Sequence, residues 1–172
     1  DEGNVLDSQR VLYGEDAIAP NEPTKVGYAF DGWDTTYTNV TKNLVVKAVF
    51  KQNTFVVKFI DFDERIIASS VVGYNEAAIA PDAPTRNGYV FTGWSVDFQA
   101  VTEPLLVYAQ YERAIKTVTL MNGFQQIAIK EFTYQSIVRE SALAVYPEIE
   151  GYDFVGWYQD EELTEKFDFG KA

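Results

Sequence analysis

The chain contains no cysteine and no histidine. Without thiols there is neither a disulfide framework nor a thiolate zinc site, and nothing in cysteine pairing fixes the redox compartment. Without imidazole, the usual general base, the Ser-His and Cys-His nucleophile pairs and most catalytic metal sites are excluded together. Positive charge is also scarce: 14 Lys and Arg face 26 Asp and Glu, a formal charge of −12. That balance repels polyphosphate, so nucleic acid is a poor partner, and it keeps a large surface soluble. No apolar run approaches the roughly 18 residues of a membrane span, so no membrane insertion is expected, and no signal peptide is visible. A start at Asp1 rather than methionine leads us to expect a processed or excised piece.

What is present is a repeat. The heptad GYAFDGW at Gly27–Trp33 returns as GYVFTGW at Gly88–Trp94 and GYDFVGW at Gly151–Trp157, with steps of 61 and 63 residues. A period near sixty divides the 172 residues into modules close to the lower size limit for independent folding, each of which needs an efficient core. Aromatic residues make up 15% of the chain within a 47% hydrophobic total, and each ring buries roughly 150–250 Å² when enclosed.

The middle copy is the most complete. Phe55–Phe62 is rich in β-branched and aromatic residues and reads as a strand; Asp63-Glu64-Arg65 turns the chain, and Ile66–Tyr74 returns. In the third copy, Asn122-Gly123 between Thr117–Met121 and Phe124–Tyr134 predicts a two-residue hairpin turn, with Met121 opposite Phe124 and Val118 opposite Ile127. After each hairpin, Pro81, Pro84 and Gly88, like their counterparts in the first copy, leave room for one helical turn at most. The third copy is longer there, and Ile137–Val145 is free of Pro and Gly, which predicts a two-turn helix over that stretch capped by Ser136. The heptad forms the next strand, and a last strand follows at Leu44–Phe50 and Leu105–Tyr111. The order is hairpin, short helix or turn, strand, loop, strand. It fits an α+β, β-rich module in which a helix or turn lies across a small mixed sheet.

Three modules follow: residues 1–51, lacking the first strand; 52–113, complete; and 114–172, lacking the last strand. Both gaps leave an unpaired edge and point to a piece of a longer array, or else to strand exchange between chains. The connections Lys51-Gln52-Asn53 and Glu112-Arg113-Ala114-Ile115 are too short for free tumbling, which predicts an extended array of limited bending.

Within the heptad, strand alternation puts Tyr28 and Phe30 on one face. A bulge at Gly32 would swing Trp33 back to join them. Tyr28, Phe30, Trp33, Tyr89, Phe91, Trp94, Tyr152, Phe154 and Trp157 are therefore read as core architecture. One tryptophan per module, Trp33, Trp94 and Trp157, at a regular position suits a core better than a sugar-stacking platform, which gathers polar groups about one concavity. Asp61, Asp63 and Glu64, and the run Asp160-Glu161-Glu162, offer oxygen ligands without the spacing of a calcium loop, and read as solvated turn acids. Asn39-Val40-Thr41 is a formal glycosylation sequon. No catalytic residue, metal ligand or cofactor-binding residue is assigned.

The stretches DEGNVLDSQRVLYGEDAIAP with GYAFDGW, GYNEAAIAPDAPTRNGYVFTGW with LLVYAQYE, and GYDFVGWYQDEELTEKFDF together resemble the Listeria–Bacteroides repeat family. The resemblance touches all three copies. It implies tandem modules similar in fold to the ubiquitin-like β-grasp, in secreted or wall-attached bacterial proteins, with no catalytic residues and no cofactor. It further implies an extracellular place on the cell surface or wall and a role as spacer, stalk or adhesion module. The partners it implies are neighbouring repeats of a longer parent chain and a host or matrix protein or glycan. The alternatives are a module binding mucin-like glycans or peptides, and an accessory module of a secreted hydrolase.

Overall fold

A computed structural model describes residues 4–143 and 146–170. Its strands are β1 (Tyr28–Trp33), β2 (Ala48–Gln52), β3 (Thr54–Ile60), β4 (Ile66–Gly73), β5 (Tyr89–Trp94), β6 (Leu105–Arg113), β7 (Ile115–Asn122) and β8 (Gln125–Thr133). The described helix is the single turn α1, Glu140–Leu143. β1 pairs with β2, the four strands in the order β4-β3-β6-β5 form a mixed sheet, and β7 pairs with β8. The protein is thus β-rich, with small mixed and antiparallel sheets and almost no helix.

Contacts divide the chain into residues 1–82 with 94–109, and residues 83–93 with 110–172. In the first unit, β3 lies between an antiparallel neighbour, β4, and a parallel one, β6, where Val57 to Ile60 face Leu105 to Tyr108. Alternation along β3 sends Val57 and Phe59 inward to meet Val72, Ala78, Val101 and Val107. Trp94 and Phe98 close on Phe59 edge to face, with ring centroids 4.9 and 5.2 Å away. Burying a phenylalanine such as Phe59 contributes roughly 1.5–3 kcal/mol.

The second unit has its own cluster, in which Leu120, Leu143 and Trp157 are buried and Ile127, Val138 and Phe169 pack against them. Two expectations are corrected here. The hairpin pairs Asn122 with Gln125, so Gly123-Phe124 form the turn, and a bulge after Leu120 places Val118 opposite Lys130. Gly123 supplies φ +55° at the first central position, where a II′ turn needs glycine. The predicted two-turn helix is also absent over Ile137–Arg139, where the chain is not helical; residues 144 and 145 lie outside the described residues. The Ser136 hydroxyl donates back to the Thr133 carbonyl (2.6 Å) instead of capping a helix, and Val138 O accepts from Gly170 N (3.2 Å).

In the first two copies the segments that begin at Tyr13 and Tyr74 are turns. Asn75 (φ +62°) and Ala78 donate their amides to Val101 O and Phe98 O, just as Gly14 (φ +86°) and Ala17 donate to Val40 O and Tyr37 O.

Strand formation tracks the available partner. Leu105–Tyr108 is strand where β3 runs beside it, whereas its counterpart Leu44–Lys47 is not, and β2 starts only at Ala48. Similarly, the heptad is strand in β1 and β5 but not over 152–157, beside which no counterpart of β6 lies among the described residues. An isolated strand forms no ladder bonds, so its backbone gains nothing from being extended.

Candidate functional site

The most regular feature beyond the sheets is a junction that occurs twice. Gly27 has φ +77° and Gly88 φ +77°, a left-handed conformation that glycine adopts without penalty. A methyl group on Gly27 would overlap the ring of Tyr74, and one on Gly88 would overlap the ring of Tyr134. Each tyrosine ends the hairpin of one repeat and lies on the glycine of the repeat before it.

The backbone is tied at the same places. Asn53 N donates to Gly27 O (2.9 Å) and Tyr74 N to Asn53 O (2.8 Å). Ala114 N donates to Gly88 O (2.9 Å) and Tyr134 N to Ala114 O (2.8 Å). Each glycine sits within a tight turn, closed by Tyr28 N to Lys25 O and by Tyr89 N to Arg86 O (both 3.0 Å), that brings a cation onto the following ring. Lys25 Nζ lies 4.1 Å from the Tyr28 centroid, and the Arg86 guanidinium 3.8 Å from that of Tyr89. Tyr134 and Tyr89 also meet edge to face at 5.8 Å. At the first junction the Gln52 amide reaches Tyr74 O and Glu76 Oε1, both at 3.1 Å.

The heptad aromatics fall as follows. Phe30 meets Trp33 at 5.3 Å and Phe50 at 6.0 Å, and the register of β1 skips between Phe30 and Gly32; the bulge therefore brings Trp33 to the Phe30 side. All three rings of the first repeat are half-buried, and none of residues 4–51 is fully enclosed. Trp94 packs on Phe59, while Phe91 meets Tyr111 at 5.9 Å. Trp157 is 9% exposed and contacts Phe154 at 5.2 Å; its Nε1 has no hydrogen-bond partner among the described residues. Tyr28 and Tyr89 are half-buried, whereas Tyr152 is 78% exposed.

The turn acids are occupied by their own turns. Asp61 is buried, accepting from Phe62 N (2.8 Å) and from Arg65 Nη2 (3.1 Å), and Asp63 receives Arg65 N at 3.2 Å. Asp160 accepts from the Thr164 hydroxyl (2.6 Å) and from the amides of Thr164 and Glu165 (both 2.8 Å). These bonds, the Thr164 hydroxyl first, hold its carboxyl below the ordinary aspartate value. Asn39 of the sequon sits on an exposed loop, its amide donating to Asp16 Oδ1 (2.7 Å). Among the described residues no group of three or more carboxylates converges to hold a metal, and no helix is long and apolar enough to cross a membrane.

In the sequence Tyr74 and Tyr134 are legible as the ends of their hairpins, but not as contacts. The signal was available: Tyr74 and Tyr134 recur in step with Gly27 and Gly88, and a cation precedes each glycine by two residues.

Comparison with known proteins gives the same periodicity. The model of the Listeria-Bacteroides repeat domain matches three times, over residues 1–54, 55–105 and 118–172. A protein of Evansella cellulosilytica named as a Gly-rich membrane protein is 31% identical over 195 residues, covering 98% of this chain and 22% of that protein. A second, named as a membrane protein of the same organism, is 30% identical, covering 87% of this chain and 25% of its own. Internalin H of Listeria monocytogenes is 35% identical over 113 residues, 59% of this chain and 20% of that protein. The chain therefore spans a quarter or less of the length of these relatives. No solved structure matches. With three matches that together take in most of its length, the chain belongs to the Listeria-Bacteroides repeat family.

Proposed function

We propose that these repeats are a non-catalytic segment of a bacterial surface protein, in which they act as a spacer that carries other parts of the protein outward and can add contacts to a host or matrix component. The carrying observation is the junction that recurs at Gly27/Tyr74 and Gly88/Tyr134. A junction of fixed chemistry gives each added repeat a defined step, which is how a tandem array converts copy number into reach. The short connections support limited bending. The mixed sheet, with the first hairpin strand central and parallel to the last, supports a β-grasp module, although a turn stands in the second repeat where a helix would cross the sheet. The lack of His and Cys and the engagement of the turn carboxylates in their own loops support a role without chemistry. The relatives named as membrane proteins and as an internalin support the surface location.

The test is to delete one repeat from the full-length parent protein and measure, on intact cells, how far a tag beyond the repeats stands from the wall. A spacer brings the tag closer by one step per repeat removed. An unchanged distance contradicts the reading.

A further inference from the structure

The third heptad repeats the geometry of the first two junctions, but without a tyrosine laid upon it. Gly151 has φ +80°, beside +77° for both Gly27 and Gly88, and Tyr152 N closes the same turn on Ile149 O at 3.0 Å. Yet a methyl group on Gly151 would meet nothing within 4 Å among the described residues. Tyr152 is 78% exposed, whereas Tyr89 is half-buried with Tyr134 against it. Where Lys25 and Arg86 stand at the first two turns, the third carries Ile149, itself exposed, so an apolar side chain takes the place of the cation.

We propose that Gly151, with Tyr152 and Ile149 beside it, is an interaction surface whose partner is a further repeat of this family, received through the tyrosine that ends that repeat's hairpin. The two occupied junctions define the occupant. Gly27 and Gly88 are each covered by one tyrosine ring, and each carbonyl accepts from the residue that opens the next hairpin, whose own carbonyl accepts from the tyrosine that closes it. A glycan would be offered one exposed ring and no such backbone partner. The proposal rests on the tandem-repeat part of the proposed function and is independent of whether the repeats space or adhere.

The experiment extends the 172-residue chain at its C-terminus with a second copy of its own residues 102–172. This is the continuation the repeat itself prescribes, because Asp168-Phe169 repeats Asp97-Phe98, and Phe169 packs on the second core cluster as Phe98 does on the first. Amide hydrogen exchange is then followed at the original Ala114 and at its appended counterpart. We expect the appended amide to be protected as the original one is. Replacing Gly151→Ala should speed its exchange by about tenfold or more, with the original Ala114 unaffected. Because Gly151→Ala also strains the backbone, the appended counterpart of Tyr134→Ala provides a second variant that leaves φ alone and should release the same amide. If the appended amide is unprotected while Ala114 is protected, or is indifferent to both substitutions, the proposal is overturned and the tandem reading stands. If Ala114 itself exchanges freely, both fall.

Discussion

The ring of Tyr74 occupies the space that any side chain at residue 27 would need, so these two positions are matched across the boundary between the first and second repeats. Gly27→Ala should therefore suffer twice, from the left-handed backbone at about 1–2 kcal/mol and from displacing the ring. In the double variant with Tyr74→Ala the second part disappears, so the pair should be less destabilised than the sum of the singles by about 1 kcal/mol. Urea unfolding of the four proteins measures this; simple additivity would show that the ring and the glycine do not act together.

Gly93 makes a useful contrast. Its φ is +144°, but a methyl group there would touch nothing within 4 Å among the described residues. Gly93→Ala should cost about 1–3 kcal/mol from the backbone alone, with no dependence on a neighbouring ring. A cost near zero would mean that the bulge before Trp94 does not need glycine.

Asp61 gives a prediction about the first hairpin. Its side chain is 1% exposed while that of Arg65 is 65% exposed, and its oxygens also take the Phe62 amide. Asp61→Ala should destabilise by about 1–3 kcal/mol, since it removes a buried carboxylate that accepts from both the Phe62 amide and the Arg65 guanidinium. Arg65→Ala should cost less, because its charge is largely in water. The reverse order in thermal unfolding would contradict this account of the turn.

Asp160 links the third repeat to pH. Its carboxyl is held below the ordinary value of 3.8, first by the Thr164 hydroxyl and then by backbone amides. A depressed carboxyl stabilises the folded loop fully above the unfolded value, and that contribution is lost as pH falls through the folded value. Between pH 5 and 8 the loop should therefore be insensitive to pH, and it should loosen only as pH falls below the ordinary value of 3.8. Thr164→Ala should raise the Asp160 midpoint toward 3.8 in an NMR titration; an unmoved midpoint would show that the hydroxyl is not its main partner.

Much of this architecture was legible because it depends on alternation and turn chemistry. Phe55–Phe62 and Ile66–Tyr74 were readable as a hairpin from their β-branched content, and the Gly32 bulge followed from the need to return Trp33 to the Phe30 face. The features that were missed depend on partners distant in sequence. Leu44–Lys47 has the composition of a strand, but among the described residues no neighbour corresponding to β3 pairs with it. Ile137–Arg139 has no helix breaker, yet Val138 is drawn into the cluster around Trp157. The pairing of Tyr74 with Gly27 was hidden for the same reason: a glycine signals conformational freedom, not the identity of what rests upon it.

The central claim is that successive repeats are locked by a tyrosine laid on the preceding glycine. Amide hydrogen exchange at Asn53 and Ala114, whose N–H groups bond Gly27 O and Gly88 O, tests it most directly. Both amides should be slow in the unaltered chain, with Tyr74→Ala releasing Asn53 alone and Tyr134→Ala releasing Ala114 alone. Two amides that exchange as freely as open loops, or that ignore the loss of their tyrosines, would contradict it.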